Sequence, residues 1–171
     1  MSAPGPIRSS ASTKDNWGTP QYIFDYWNER YHFQYDAAAD ETNHKCEEYM
    51  DETFDSLSRN WPSCARFWLN PPFGNLLEWV ERCITENRER QATILALFPN
   101  NTDTKWFSRA FATASRISFL EGRISFIDPV AGKAISGNPG GSVFVAWHPT
   151  PYQIGKPEVD VISIPKPKVQ S

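Results

Sequence analysis

The chain has 171 residues, a formal charge of −3, 40% hydrophobic residues and 22% charged residues. That length suits one domain, and the balance excludes a wholly disordered chain. No apolar run approaches the roughly 20 residues that span a bilayer, and residues 1–16 hold no apolar stretch of the secretory kind. Cys46, Cys64 and Cys83 are odd in number and widely spaced, which favours reduced thiols in a cytosol. The aromatic share of 14% is high, with 7 Trp, 11 Phe and 6 Tyr, and such rings both fill cores and offer stacking faces to planar ligands. Charge is split along the chain: residues 1–85 carry 7 Lys+Arg against 13 Asp+Glu, whereas 86–171 carry 10 against 7. Such a split can set a basic face on an acidic protein, although charges scattered over a solvated surface fit the counts equally.

In chain order, residues 1–15 are rich in Ser, Ala, Pro and Gly and read as a flexible tail. Thr19-Pro20 reads as a helix start, with Thr19 as N-cap and Pro20 in the first position. Ile23, Trp27 and Tyr31 then predict an amphipathic helix over 20–30. A short strand over 33–35 delivers Asp36 at its C-terminal end, residues 37–48 read as partly helical, and 49–62 as irregular and acidic. Residues 65–69 form a β-rich run that stops at Asn70-Pro71-Pro72-Phe73-Gly74. Asn75 with Glu78 predicts a capped helix whose stripe is Leu76, Leu77, Val80, Cys83 and Ile84. The apolar run 93–98, ended by Pro99, reads as a buried parallel strand. Thr102 is expected to cap the next helix, with stripe Trp106, Phe107, Ala110, Phe111 and Ala114. Residues 117–120 and 124–127 flank Glu121-Gly122 and predict a hairpin. A Gly-, Pro- and Asn-rich loop spans 128–141, a strand follows over 142–147, and the proline-rich segment 149–171 has room for one edge strand over 159–164. The whole reads as a three-layer α/β sheet, mostly parallel, closed by antiparallel strands. Ligands in such sheets sit beyond the C-terminal ends of the strands, which gathers Asp36, Asn70 to Phe73 and Pro99-Asn100 into one crevice.

Asn70-Pro71-Pro72-Phe73 carries the sharpest chemical signal. An exocyclic amine on a planar ring is a poor nucleophile because its lone pair is delocalised into the ring. Two acceptors aimed at its two N–H bonds pull the nitrogen toward tetrahedral geometry and localise that pair. The Asn70 side-chain carbonyl and the Pro71 backbone carbonyl suit this role, and the Pro71-Pro72 pair fixes their direction in advance. Phe73 offers a flat face for the ring, and the rest of methyl transfer is positioning, with no strong general base required. The same tetrapeptide also reads as a plain turn after a strand.

Several ordered motifs accompany it: Trp17-Gly18-Thr19-Pro20; Phe33-Gln34-Tyr35-Asp36-Ala37-Ala38-Ala39 with Asn43, Lys45-Cys46 and Tyr49; Asp55-Ser56-Leu57 and Trp61; Gly122-Arg123-Ile124-Ser125-Phe126; and Asn138-Pro139-Gly140-Gly141-Ser142. With Trp68-Leu69-Asn70-Pro71-Pro72-Phe73-Gly74, this set resembles the phage and prophage DNA N-6-adenine methyltransferase (Dam-like) family, over about residues 16 to 147. The resemblance implies a Rossmann-like methyltransferase domain over 16–148, S-adenosylmethionine as donor, and N6 of an adenine flipped out of double-stranded DNA as acceptor. It implies a site-specific adenine methyltransferase, EC 2.1.1.72 in type, with protection of phage DNA against restriction as one purpose; the sequence leaves monomer and weak dimer both open. Trp17, Thr19 and Pro20 look like the N-terminal part of the donor site, Asp36 and Ala37 like its first loop, and Asp55 like an acceptor for the donor's adenine amine, with Asn70 at the junction with the target base. Asp36 as a helix cap, Asp55 as a solvated turn carboxylate, Trp17 as an anchor for the tail and Phe126 as hairpin core are the bland alternatives. No Gly-x-Gly loop follows the first strand, a departure from the wider methyltransferase pattern. Flipping a base costs a few kcal/mol, recovered by stacking and edge contacts in the pocket. Lys105, Arg109, Arg116, Arg123 and Lys133 are the candidate phosphate contacts.

His44, Cys46, Cys64 and Cys83 lack zinc-ligand spacing, and neither a Gly-x-x-x-x-Gly-Lys loop nor a Gly-x-Ser-x-Gly elbow occurs. Two rivals remain: the same chemistry on RNA bases or protein glutamine, and a catalytically inactive DNA-binding relative.

Overall fold

The computed structural model describes residues 17–135, 140–149 and 155–167. The expected tail over 1–15 and the Asn138-Pro139 part of the last motif lie outside them. Seven strands form one sheet: β1 (Tyr35–Asp36), β2 (Glu48–Tyr49), β3 (Arg66–Leu69), β4 (Thr93–Pro99), β5 (Arg116–Leu120), β6 (Ser142–Trp147) and β7 (Glu158–Ile162). Their order is β2-β1-β3-β4-β6-β5-β7, and β6 pairs antiparallel with both neighbours while every other pair is parallel.

The alternation of side chains along β3 and β4 builds the layers. Phe67 and Leu69 with Ile94, Ala96 and Phe98 face α2 (Leu76–Arg90) and α3 (Lys105–Phe111). Trp68 with Leu95 and Leu97 faces α1 (Gln21–Tyr31), where Ile23, Phe24 and Trp27 close the second core. Both faces of β3 and β4 are therefore dry, which is why those segments read as continuous apolar runs.

Several expected elements move. α1 starts one residue late, with Pro20 at its cap: the Pro20 carbonyl accepts from Ile23 and Phe24, and the Thr19 hydroxyl caps nothing. Residues 37–47 are turns, not helix. Asp40 accepts from the backbone of Thr42 and Asn43, and Asp36 accepts from Lys45 N–H at 3.0 Å, so carboxylates take the amides a helix would use. The residues that follow pair as β2, a strand the sequence reading missed. Asn75 reaches the Glu78 side chain, not a backbone amide, and the buried stripe of α2 uses Trp79 in place of the exposed Leu77. Thr104, not Thr102, caps α3 by accepting from Phe107 N–H at 3.3 Å, and Phe111 is exposed.

The hairpin is also replaced. β5 pairs with β6 and β7, while Ile127 bridges Gly18 and Ala134. Parallel β7 offers β5 a five-residue ladder, which a two-residue turn at Glu121-Gly122 would have excluded. The segment 124–127 instead pairs with the residues just before α1: Gly18 N–H donates to the Ile127 carbonyl at 2.9 Å, and Ile127 N–H returns a bond at 2.8 Å. Among the described residues, no helix is long and apolar enough to cross a membrane.

Candidate active site

The sheet order reverses direction between β1 and β3. β2 lies on one side of β1, while β3 and β4 continue on the other. Connections that leave in opposite senses part the chain at the carboxyl ends of these strands, where doubly wound sheets place ligands. A cavity of about 560 Å³ opens there. Its wall includes Trp17, Thr19, Asp36, Ala37, Lys45, Asp51, Asp55, Trp68, Asn70, Pro72 and Trp79.

Asp36 ends β1 and is 3% exposed. Burial pushes its carboxyl up to about 7, against the pull of the Lys45 and Ala38 amides and of the Lys45 and His44 charges. The Lys45 ammonium bonds Gln21 Oε1 at 3.2 Å, and burial lowers its pKa. A buried carboxyl that titrates near neutrality beside a cavity is poised to meet a cationic ligand. The next residues, Ala37-Ala38-Ala39, run alongside Trp68 and Met50 through Ala37 N–H to Trp68 O at 2.9 Å and Ala39 N–H to Met50 O at 3.1 Å. Small side chains on this stretch keep the cavity open, which answers the missing glycine loop.

Asn70 follows β3. Its Nδ2 donates to the Trp17 carbonyl at 3.2 Å, while its Oδ1 is buried without a partner among the described residues. Anchoring the amide through its nitrogen fixes the oxygen as a preorganised acceptor. Thr19 Oγ1 and Trp68 Nε1, also on cavity-lining residues, are buried and unpartnered in the same way. Unmet buried polar atoms cost about 1–3 kcal/mol each unless a ligand satisfies them. Three such atoms belong to residues of this one wall, beside a buried carboxyl.

Phe73 lies in a short 3-10 turn, Phe73–Asn75, half-buried outside the cavity wall. It meets Phe126 edge-on at 6.5 Å, and Phe126 meets Trp17 at 6.1 Å. Pro71 is buried, Pro72 lines the cavity, and Pro20 does not. Asn100 is separated from this crevice: it lines a second, more open cleft with Asn101, Arg123 and Gly141. The expected single crevice is thus two openings on one edge of the sheet.

The five candidate cations divide. Arg109 holds Glu81 with two bonds, at 2.6 and 3.1 Å, and Arg116 is paired with Asp160 and Glu158. Arg116 also begins β5, at the sheet edge opposite the cavity. Lys105, Arg123 and Lys133 are exposed, and none forms an ion pair with a described carboxylate. Sequence reasoning missed Lys45, Asp51, Trp68 and Trp79 in the wall. Asp51 follows β2, the strand after Asp36, where dinucleotide-binding sheets set a carboxylate for ribose hydroxyls, and it was hidden because β2 itself was missed.

A mostly parallel α/β sheet with antiparallel β6, a polar cavity at its switch point and an Asn-Pro-Pro-Phe turn beside it is consistent with a methyltransferase-like fold. The chain belongs to the DNA N-6-adenine-methyltransferase (Dam) family, whose model matches residues 8–163. It is similar to the DNA N-6-adenine-methyltransferase of Escherichia phage T1, 33% identical over 148 residues, covering 77% of this chain and 62% of that protein. It is also similar to the DNA N-6-adenine-methyltransferase of Haemophilus phage HP1 (strain HP1c1), 30% identical over 146 residues, covering 82% of this chain and 83% of that protein. The match thus spans less than two thirds of the T1 protein's length.

Proposed function

We propose that the protein transfers a methyl group from S-adenosylmethionine to N6 of an adenine flipped out of double-stranded DNA, on a Rossmann-like methyltransferase fold. The observation that carries this reading is Asn70: its amide is held by Trp17 and its Oδ1 is left buried without a partner at the cavity wall. Family membership and the names of the phage relatives support the choice of adenine in DNA.

The donor, when bound, supplies a sulfonium-activated methyl carbon. The chain's residues do the rest. The Asp36 carboxylate takes the donor's ammonium, and Ala37 lets the donor lie close to the strand end. Asp51 and Asp55, both at the cavity wall, accept from ribose hydroxyls and from the donor's adenine amine respectively. Asp51 is already oriented, since its Oδ1 accepts from Thr53 N–H at 2.9 Å and Phe54 N–H at 3.0 Å. Trp17 and Thr19 close the cavity from the N-terminal side, and Pro20 fixes that segment onto α1.

Asn70 Oδ1 and the Pro71 carbonyl accept the two N6–H bonds of the target base. With its lone pair freed from the ring by these two acceptors, the nitrogen would be the nucleophile for the methyl group that the donor would supply. The amine's extra proton then passes to solvent. Pro72 holds the turn rigid, and Phe73, backed by Phe126, gives the base a stacking face. Lys105, Arg123 and Lys133 meet DNA phosphates on the same side. Arg109 and Arg116, already neutralised by carboxylates, contribute little to that contact.

The test is incubation with methyl-labelled donor and, separately, DNA, RNA or protein, followed by mass spectrometry of the modified group. Label on N6 of adenine in DNA is the expected result. Label confined to RNA or to glutamine would reassign the substrate, and donor that does not bind by calorimetry would point to an inactive relative.

A further inference from the structure

The second cleft has a composition unlike the donor cavity. It lies beyond the C-terminal ends of β4 and β5, where β6 begins, and it holds about 580 Å³. Asn100, Asn101, Gly122, Arg123 and Gly141 are among its lining residues, and among the described residues no carboxylate lines it. Its hydrogen-bonding side chains are amides and a guanidinium.

These groups converge. A Cβ placed on Gly141 would stand 3.4 Å from Asn100 Cβ, 3.5 Å from Asn100 Nδ2 and 3.8 Å from Arg123 Nη1. A side chain at 141 would therefore fill the space that the two donors share. The backbone around them is spoken for: Asn100 N–H donates to the Gly141 carbonyl and Asn101 N–H to the Pro99 carbonyl, each at 2.9 Å. Thr104 Oγ1 donates to the Asn101 carbonyl at 2.8 Å, which fixes the turn into α3. The side-chain donors thus stand on a rigid frame. Arg123 is exposed and forms no ion pair with a described carboxylate, in contrast to Arg109 and Arg116. A guanidinium left unpaired beside amide donors and a missing side chain is suited to an anion with several acceptor oxygens.

We infer that the Asn100–Arg123–Gly141 cleft seats one backbone phosphodiester of the DNA, with Arg123 as its charge and Asn100 as a positioning donor. This rests on the proposed DNA substrate and deepens it. The cleft and the donor cavity open on the same edge of the sheet, so a phosphate held here orients the strand whose base enters at Asn70. A phosphate seat contributes affinity and register, not choice of bases.

The test reads binding alone. A fluorescent duplex is titrated with wild type, Arg123→Gln and Arg123→Lys by anisotropy, without donor, over a range of salt concentrations. Arg123→Gln should weaken binding about tenfold at low salt, alike for every sequence, and lower the slope of log K against log salt by about 0.9. Arg123→Lys should keep the slope, because counterion release follows charge. Gly141→Ala, which crowds the seat without removing charge, should weaken binding and leave the slope unchanged. An Arg123→Gln protein with unchanged affinity and slope would overturn the assignment. So would a changed preference among sequences at constant slope, which marks a base contact. Binding that depends on Arg123 without any methyl transfer would sink the catalytic reading and keep the phosphate seat. Methyl transfer with binding independent of Arg123 would do the reverse.

Discussion

The two openings on the carboxyl edge differ in what lines them. The cavity between β1 and β3 is walled by carboxyl groups and by buried polar atoms that lack partners. The cleft beyond β4 and β5 is more open, carries a cation and, among the described residues, no carboxylate, and the Asn100 and Asn101 N–H groups at its wall are already paired. A compact ligand bearing both a cation and hydrogen-bonding groups suits the first, because a low-dielectric wall strengthens each bond it makes. An extended polyanion suits the second, because it stays partly in water and is held by charge. One sheet edge thus offers two sites of opposite electrostatic sense, with the Asn70 turn at the wall of the first.

The largest effect is expected at Asn70. Asn70→Ala should lower the rate of methyl transfer by about 10²–10³, the scale of removing one preorganised hydrogen bond to a reacting group. Duplex binding and melting temperature should change little. Wild-type turnover in that variant would remove the acceptor role.

Next in size is Asp36. Asp36→Asn should weaken donor binding about 10- to 100-fold, the loss of a charged hydrogen bond. The wild-type carboxyl, raised to about 7, must ionise to bind a cation. Donor affinity should therefore fall about tenfold per pH unit below 7 and level off above it, whereas the Asn variant stays flat across that range. Stability runs the other way. Between about pH 4 and 7 the folded chain keeps a proton that the unfolded chain has released, so stability falls as pH rises through that window. Asp36→Asn should accordingly raise the melting temperature at pH 8 and leave it nearly unchanged at pH 4. A donor-binding profile independent of pH in the wild type would exclude Asp36 as the ammonium's partner.

Phe73→Ala should lower kcat/KM for DNA by about 5- to 150-fold, the range of one stacking contact, while donor affinity holds. Equal loss of donor affinity would mean that Phe73 shapes the cavity from behind and does not touch the base. The smallest effect belongs to Arg116→Ala. Its partners already neutralise it at the far edge of the sheet, so the KM for DNA should stay within twofold and stability within about 1 kcal/mol. A tenfold rise in that KM would place DNA on the wrong edge.

Much of this arrangement was legible in the sequence because its signals were local. The run at 93–98 could only be a strand dry on both faces, and the Pro71-Pro72 pair had to stop β3 where it stops. Asp36 and Asn70 were placed together by a rule about strand ends, with no contact known. The failures share a different cause. Residues 37–47 look helical by composition, but their amides are claimed by Asp36 and Asp40. Residues 124–127 look like the second arm of a hairpin, but β7, some 40 residues away in sequence from β5, offers β5 a longer ladder. The neutralisation of Arg116 by Asp160 depends on that same long-range pairing and leaves no mark in local sequence. Thr19 is the instructive case. The sequence reads it as a helix cap, whereas its hydroxyl is buried without a partner among the described residues, on a residue of the cavity wall.

A crystal structure with S-adenosylhomocysteine bound tests the central claim most directly. The account predicts that the amino-acid end lies at Asp36 and that the sulfur faces Asn70 Oδ1 across the space left for a methyl group. Density for the ligand in any other part of the molecule, with the β1–β3 cavity empty, would contradict it.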